Sequence, residues 1–385
     1  MRKTLGVVIA VTSALVIAGC SSSSSSTNGR GASVSNSSAG GSASRSSSSG
    51  VAAAKAYETQ WLGTPTSINV TTPLKSKPAA GKLLVGLDSG LGSAKVLAQY
   101  WAQAAKDAGW TYKDLISGST SSQQQSAMNS AIQLNPAGIL TSGIPNATIQ
   151  TQLTLAASKG IWVNSSATTS PPSGAMFDTS IANPAQLDQW GKMVAAYVVV
   201  QSNGKAVIQD FSLPVFPILY VFDKSFEAAI KQWCTACTVT EHPQQGSDIG
   251  TATPQAVVSS VTRAPNTTWL IFDLGDLASG VNAALSAAGL HGQHIGGLTA
   301  DTPNITALKD KTQDVWTGYS LPIVAYRQVD SMARKFEGMP NVIAALPTQL
   351  LTQDNVNSMV ADPAQNYVGV ANYRSQFLTL WHVSG

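Results

Sequence analysis

The run Leu83-Leu84-Val85-Gly86-Leu87, followed by Asp88-Ser89-Gly90-Leu91-Gly92-Ser93, decides how the rest of the chain is read. An apolar run without polar alternation suits a strand buried on both faces, the condition of strands in a parallel sheet. The glycine- and serine-rich segment after it is a tight turn. Val96, Leu97, Tyr100, Trp101, Ala104, Ala105 and Ala108 then recur at helical spacing until Gly109 stops the helix. Strand, turn and helix in this order open a parallel α/β sheet, where ligands collect at the carboxyl ends of strands. The 88–93 turn is therefore the first place to look for a site, although taken alone it is equally a plain βα turn.

Working outward to the N-terminus, Arg2 and Lys3 precede an apolar run from Leu5 to Ala18 that ends in Val16-Ile17-Ala18-Gly19-Cys20. A charged head and an apolar stretch too short for an ordinary span read as a secretory signal over residues 1–20. The ending resembles a bacterial lipobox, in which the cysteine thiol, here Cys20, receives a lipid. Residues 21–50 are almost entirely Ser, Gly, Asn and Ala, which bury too little surface to offset ordering entropy, and are expected to be a disordered tether. Residues 51–81, with Pro65, Pro73 and Pro78, read as an extended lead-in opened by a short helix over Ala52 to Leu62.

Beyond the opening unit the βα rhythm repeats. Strands are expected at Trp110–Ile116, Gly138–Thr141 and Ile161–Asn164, with helices at Ser121–Leu134 and around Ile149 to Ala157. A second set begins with Asn183-Pro184, an N-cap and first helical residue, and continues through strands at Ala206–Ile208, Thr238–Thr240, Trp269–Phe272, Ile295–Leu298 and Val315–Tyr319. Phe222–Trp233 and a helix capped by Asp276 lie between them, and Ile323–Phe336 forms a last long helix. The body reads as two similar α/β halves. A chain of 385 residues is long enough for both, and with 11% charged residues and a net charge of +3 it carries no basic stripe for nucleic acid.

The segment order resembles the type I periplasmic binding proteins, the sugar-type solute-binding components of ABC importers. Asp107-Ala108-Gly109, Asn135-Pro136-Ala137-Gly138-Ile139-Leu140, Lys159-Gly160-Ile161-Trp162-Val163 and Asp276-Leu277-Ala278-Ser279-Gly280-Val281 carry the likeness, which runs from about Lys82 to Gly338. It implies two doubly wound, Rossmann-like parallel-sheet lobes joined by a three-crossing hinge. The N-terminal lobe would hold residues 82–167 and 321–342, and the C-terminal lobe 168–320 and 343–385. It also implies cleft positions at Ser89, Gly90, Leu91, Pro145, Asn146, Ser165, Tyr220 or Phe222, Gly275, Asp276, Asp301 and Ser320. Gly275 stands where the sugar binders have an amide, and Tyr220 or Phe222 stands near their arginine.

Covalent chemistry has little support. His242, His291, His294 and His382 lie apart, without metal-ligand spacing, and no nucleophile and base are paired, so no catalytic residue, cofactor or metal is expected. Gly90-Leu91-Gly92 imitates a dinucleotide fingerprint, but Lys95 takes the place of its third glycine. Cys234-Thr235-Ala236-Cys237 follows a helix and precedes a strand, the reverse of a thiol-exchange motif, and in an extracytoplasmic setting reads as a structural disulfide. Asp276 and Asp301 follow strands; Asp276 is a good helix cap whatever the ligand, and Asp301, before Thr302-Pro303, is either a turn or cap residue or a ligand group.

The turns after the strands supply Ser, Asn, Asp and aromatics and almost no Arg or Lys. That points to a neutral or cationic ligand with one apolar face, stacked on Phe211, Tyr220 or Phe222 and hydrogen-bonded by Ser89, Asn146 and Asp301. A sugar or sugar-like polyol leads, with a less polar cyclic metabolite as the alternative. The expected role is capture of a small molecule and delivery to an ABC transporter permease, by a monomer anchored to the outer face of the cell membrane through lipid on Cys20. A ligand-sensing lipoprotein facing a membrane receptor is the second reading.

Overall fold

The computed structural model describes residues 40–383. The expected signal sequence and Cys20 lie outside the described residues, as does the tether up to residue 39. Residues 40–50, also expected in the tether, are instead helical: α1 spans Gly40–Thr59 and replaces the first part of the extended lead-in. Packing explains the difference. Ala54 is fully buried, Tyr57 sets its ring 5.4 Å from that of Trp233, and a Cβ at Gly50 would stand 2.1 Å from the Trp233 carbonyl oxygen. Tertiary contact of this kind holds helices whose composition would not. The chain after α1 carries no regular element up to residue 82, and buries Ile68, Val70 and Leu74.

The first sheet follows from the opening unit. β1 (Leu83–Asp88), α2 (Gly92–Asp107), β2 (Thr111–Ile116), α3 (Ser121–Gln133), β3 (Gly138–Ser142), α4 (Gln150–Ser158), β4 (Trp162–Ser166) and β5 (Met176–Asp178) succeed one another. Their strands are parallel in the order β2-β1-β3-β4-β5. β1 is buried along its length apart from its first residue, as its unbroken apolar run requires.

The second half repeats the plan: α5 (Pro184–Gln201), β6 (Val207–Ser212), α6 (Pro217–Trp233), β7 (Thr238–Pro243), α7 (Ala252–Arg263), β8 (Trp269–Phe272), α8 (Val281–Ala287), β9 (His294–Gly297), α9 (Thr302–Lys309) and β10 (Val315–Gly318). α10 (Leu321–Phe336), β11 (Gln349–Thr352) and α11 (Tyr373–Leu380) complete the chain. The second sheet runs β11-β10-β9-β8-β6-β7, with β11 antiparallel to β10. Each sheet therefore reverses its strand order at one point, between β1 and β3 and between β6 and β8, where open α/β sheets place ligands. α5 opens as expected, Asn183 Oδ1 accepting from the Gln186 N–H at 3.1 Å with Pro184 in the first turn.

The lobe boundaries differ from expectation at two places. β5 joins the first sheet, where Asn164 Nδ2 donates to Asp178 Oδ2 at 3.0 Å, so the first crossing lies at 179–183 rather than near Ala167. After β10 in the second sheet, α10 returns to the first lobe against α2 and β4. The tail divides between the lobes. β11 extends the second sheet, but α11 packs on α10 in the first lobe, with the rings of Tyr373, Phe377 and Trp381 all within 5.6 Å of Tyr326 and Arg374 paired to Asp107. Beneath that cluster a buried ion pair, Arg334 Nε to Asp330 Oδ2 at 2.7 Å, also takes the Trp381 indole N–H on Asp330 at 2.8 Å.

Candidate functional site: a cleft between two lobes

Both reversal points face one cavity of about 100 Å³. From the first lobe come Ser89, Leu91 and Ser93 after β1, Ser142 and Gly143 after β3, and Ala167 after β4. From the second come Phe216 and Ile218 at the β6–α6 turn, Leu274 after β8, Thr299 after β9 and Tyr319 after β10. Trp101 on α2, with Leu187 and Trp190 on α5, closes the walls. No lining residue is charged, and none is an amide.

The walls are held by groups outside the cavity. Trp101 Nε1 donates to Gln328 Oε1 at 2.8 Å, and Trp190 Nε1 donates to Thr348 Oγ1 at 3.0 Å, so both indole N–H groups serve the framework. Trp190 meets the Tyr319 ring edge-on at 5.2 Å. Phe216 reaches across from the second lobe to Gly143, where a Cβ would stand 3.1 Å from the ring. Gly143 also has φ of +75°, which favours glycine for a second reason. Three lining residues with side chains, Ala167, Ala182 and Thr299, adopt φ of 50°, 51° and 61°, a conformation that costs energy and gathers at functional sites. The polar edge is weakly paired: among the described residues no partner stands in good hydrogen-bond geometry to Tyr319 Oη, Ser166 Oγ or Thr141 Oγ1. Burial pushes the Tyr319 hydroxyl pKa up, and Ser166 stands near enough to oppose that shift as a weak hydrogen-bond partner.

A second, more polar recess of about 520 Å³ lies beside the first and includes Gly92, Gly275, Asp276, Asp301, Asn304 and Asn366. Asp301 precedes α9, where its N–H donates to Asn304 Oδ1 at 3.0 Å and its own Oδ2 is buried without a donor. Burial first, and then the neighbouring Asp276, hold the Asp301 carboxyl well above the usual carboxylate range. Asp276 caps no helix of its own lobe. It lies in the 3-10 turn Gly275–Ala278, and α8 starts instead after Gly280, whose φ of 78° makes the entry.

The expected site residues separate into groups. Ser89 and Leu91 line the cavity, and Gly90 shapes their turn with φ of 90° and its N–H on Asp88 Oδ1 at 2.6 Å. Gly275, Asp276 and Asp301 come together in the polar recess. Gly275 is needed there because a Cβ would stand 2.2 Å from the Thr299 carbonyl oxygen. Ser320 opens α10, lies buried outside the lining, and donates to the Val368 carbonyl at 2.6 Å. Pro145 precedes the turn Asn146–Ile149, and Asn146 is engaged with Ser170 and Pro171. Ser165 is buried in β4 outside the lining.

The three rings expected to stack on the ligand lie outside the cavity lining: Phe211 is buried between His242 and Phe272, Phe222 stacks on Phe226, and Tyr220 is 52% exposed beneath Lys224. α6 begins at Pro217, a turn earlier than expected, which carries positions 220 and 222 away from the cavity and leaves Phe216 facing it. Trp101, Trp190, Phe216, Thr299 and Tyr319 were not singled out. The signal for Phe216 and Tyr319 is their place in the short turn between a strand and a proline-opened helix. Cys234 and Cys237 are joined, Cα to Cα 5.4 Å, where α6 gives way to β7. Among the described residues no three His, Cys, Asp or Glu side chains are grouped to hold a metal, and no helix is long and apolar enough to cross a membrane.

Residues 94–339 match the family described as the periplasmic binding protein domain. The chain belongs to that family. Its type I members show the same two-lobed plan in solved structures. A glucose-galactose binding protein from Geobacillus stearothermophilus has 14% identity and a TM-score of 0.62, with 72% of this chain and 99% of that one covered. An ABC transporter solute binding protein from Burkholderia graminis, in complex with D-arabinose, has 16% identity over 74% and 99% of the two chains, with a TM-score of 0.63. The Caulobacter myo-inositol binding protein, bound to myo-inositol, has 16% identity over 75% and 98%, also with a TM-score of 0.63. At these identities the likeness is one of fold. No curated protein matches the chain. Within this periplasmic binding protein the cavity lies between the lobes, at the carboxyl ends of both sheets.

Proposed function

We propose that this periplasmic binding protein captures a small neutral solute between its lobes and delivers it to an ABC importer. The observation that carries the reading is the cavity itself, built by strand ends of both lobes and walled by Trp101, Trp190, Phe216 and Tyr319 with Ser89, Ser142 and Thr299 at its edge. Such a lining suits a ring with an apolar face and a few hydroxyls. The structural neighbours take glucose or galactose, D-arabinose and myo-inositol, which makes a sugar-like polyol the natural first candidate. The absence of charged and amide side chains from the lining favours a less hydroxylated cyclic solute than these. Binding would be read out by lobe closure and would require no covalent step. Lipid on Cys20 would hold the protein, as a monomer, at the outer face of the membrane beside its permease.

Native mass spectrometry of protein purified gently from its own host, followed by calorimetry with the compound released, tests the reading. A neutral ring compound that rebinds, and that Trp190→Ala weakens at least tenfold, is the expected result. Tight binding only of phosphorylated or carboxylated compounds overturns it. Cys20→Ser should release the protein from the membrane fraction.

A further inference from the structure

Asp276 belongs to the second lobe, yet its carboxylate is engaged by the first. Oδ1 accepts the Gly92 N–H at 3.0 Å, and Oδ2 accepts the Ser93 hydroxyl at 2.6 Å. These are the first two residues of α2, a helix of 16 residues whose N-cap position is held by Leu91 and receives no side-chain cap from it. The first N–H groups of a helix lack intrahelical partners and carry its positive dipole end. A Cβ at Gly92 would stand 2.8 Å from Asp276 Oδ1, so glycine here admits the carboxylate. Behind it, the buried Asp301 Oδ2 has no donor, and a proton on that carboxyl would let it donate toward Asp276.

We propose that Asp276 caps α2 across the lobe boundary, acting as a latch for closure and as the determinant that bars anionic solutes from this end of the cleft. A helix N-terminus at the rim of a cleft is a natural anion site. In this protein its own carboxylate takes that place, and a carboxylate or phosphate on a solute would be repelled by it. The exclusion of anions rests on the solute-binding reading above, whereas the latch does not.

The test needs no natural solute, so its failure is separate from failure of that reading. Nitroxides at Ser122→Cys on α3 and Gln255→Cys on α7, in a Cys20→Ser background, flank the lip where a Cβ at Gly246 would lie 3.7 Å from Ser119 Oγ. Pulsed electron paramagnetic resonance should show Asp276→Ala, Ser93→Ala and Gly92→Ala each moving population to longer distances than the parent protein. Unchanged distances in Asp276→Ala, or opening in Asp276→Ala alone with the other two closed, would overturn the latch. Should Asp276→Ala fail to fold, Ser93→Ala and Gly92→Ala decide the question together. Acetate, compared with chloride at equal ionic strength, should raise the melting temperature of Asp276→Ala and leave the parent unchanged. An equal response of both would overturn the exclusion of anions.

Discussion

Trp101 Nε1 donates to Gln328 Oε1 at 2.8 Å, and Gln328 Nε2 in turn donates to the Thr141 carbonyl at 3.0 Å and to Asn164 Oδ1 at 3.0 Å. One fully buried amide on α10 thus fixes a cavity wall to β3 and β4. Gln328→Leu keeps the volume and leaves the indole N–H, the Thr141 carbonyl and Asn164 without that partner. Unpaired buried groups of this kind cost about 1–3 kcal/mol each, so the urea midpoint should fall clearly and solute affinity should fall with it. An unchanged midpoint would mean that Gln328 does not hold the wall.

Tyr319 should separate stability from binding. Its buried hydroxyl, at the edge of the cavity, has among the described residues only the neighbouring Ser166 as a weak partner. Tyr319→Phe removes a poorly satisfied polar group and should raise the stability of the solute-free protein by about 1 kcal/mol. If the hydroxyl is kept for the solute, the same change weakens binding tenfold or more, a trade expected of functional sites. Chemical denaturation and calorimetry on one preparation measure both.

The ion pair Asp330–Arg334 is almost wholly buried, and Arg334 also donates to the Thr72 carbonyl at 2.6 Å. Arg334→Ala strands the Asp330 carboxylate in the core and should cost about 3–5 kcal/mol. Arg334→Met with Asp330→Leu, which removes both charges, should recover much of the loss, and a double-mutant cycle in urea would establish the coupling.

Stability should fall as the medium becomes more alkaline. Burial, then the Glu241 and Glu227 charges with Lys224 opposing, push the Asp210 carboxyl up to about 8; burial, then Asp273, Asp210 and Glu241, again with Lys224 opposing, carry Asp223 to about 11. Unfolded, each titrates near about 3.9, so between that value and its folded pKa the native state holds a proton that the unfolded chain has released. The stabilisation is full below about pH 4 and is lost as pH rises through the folded values, at up to about 1.4 kcal/mol per pH unit for one proton. Urea midpoints at several pH values from 5 to 9 should fall steadily, and less steeply in Asp210→Asn. Parallel slopes would refute the assignment.

The strand and helix sequence was legible because periodicity reports burial. Leu83–Leu87 and Trp269–Phe272 are apolar without alternation, and both are buried central strands. β5 was not legible, because its three residues carry no period, and its place is set by pairing with β4. The start of α1 was hidden for a related reason: Ser and Gly composition argues for disorder until Trp233 and its neighbours supply a surface to pack on. At the site, turns after strands pointed to Ser89, Leu91, Asp276 and Asp301. Side-chain direction was out of reach, so Phe222 was expected as a wall, while Trp190, on a helix buried on nearly every side, went unremarked. The partner of Asp276 lies 184 positions away, and no local pattern carries that distance.

The return of α11 to the first lobe has a consequence for the order in which the molecule can be made. Tyr326, on the helix that covers the first sheet, stacks on Trp381 at 5.6 Å, and Asp107 holds both Tyr326 and Arg374. The lobe that begins at residue 83 is therefore finished only by residues some 300 positions later. A nascent chain leaving the ribosome lacks that last layer until those residues have been made, and its N-terminal lobe stays unfinished meanwhile.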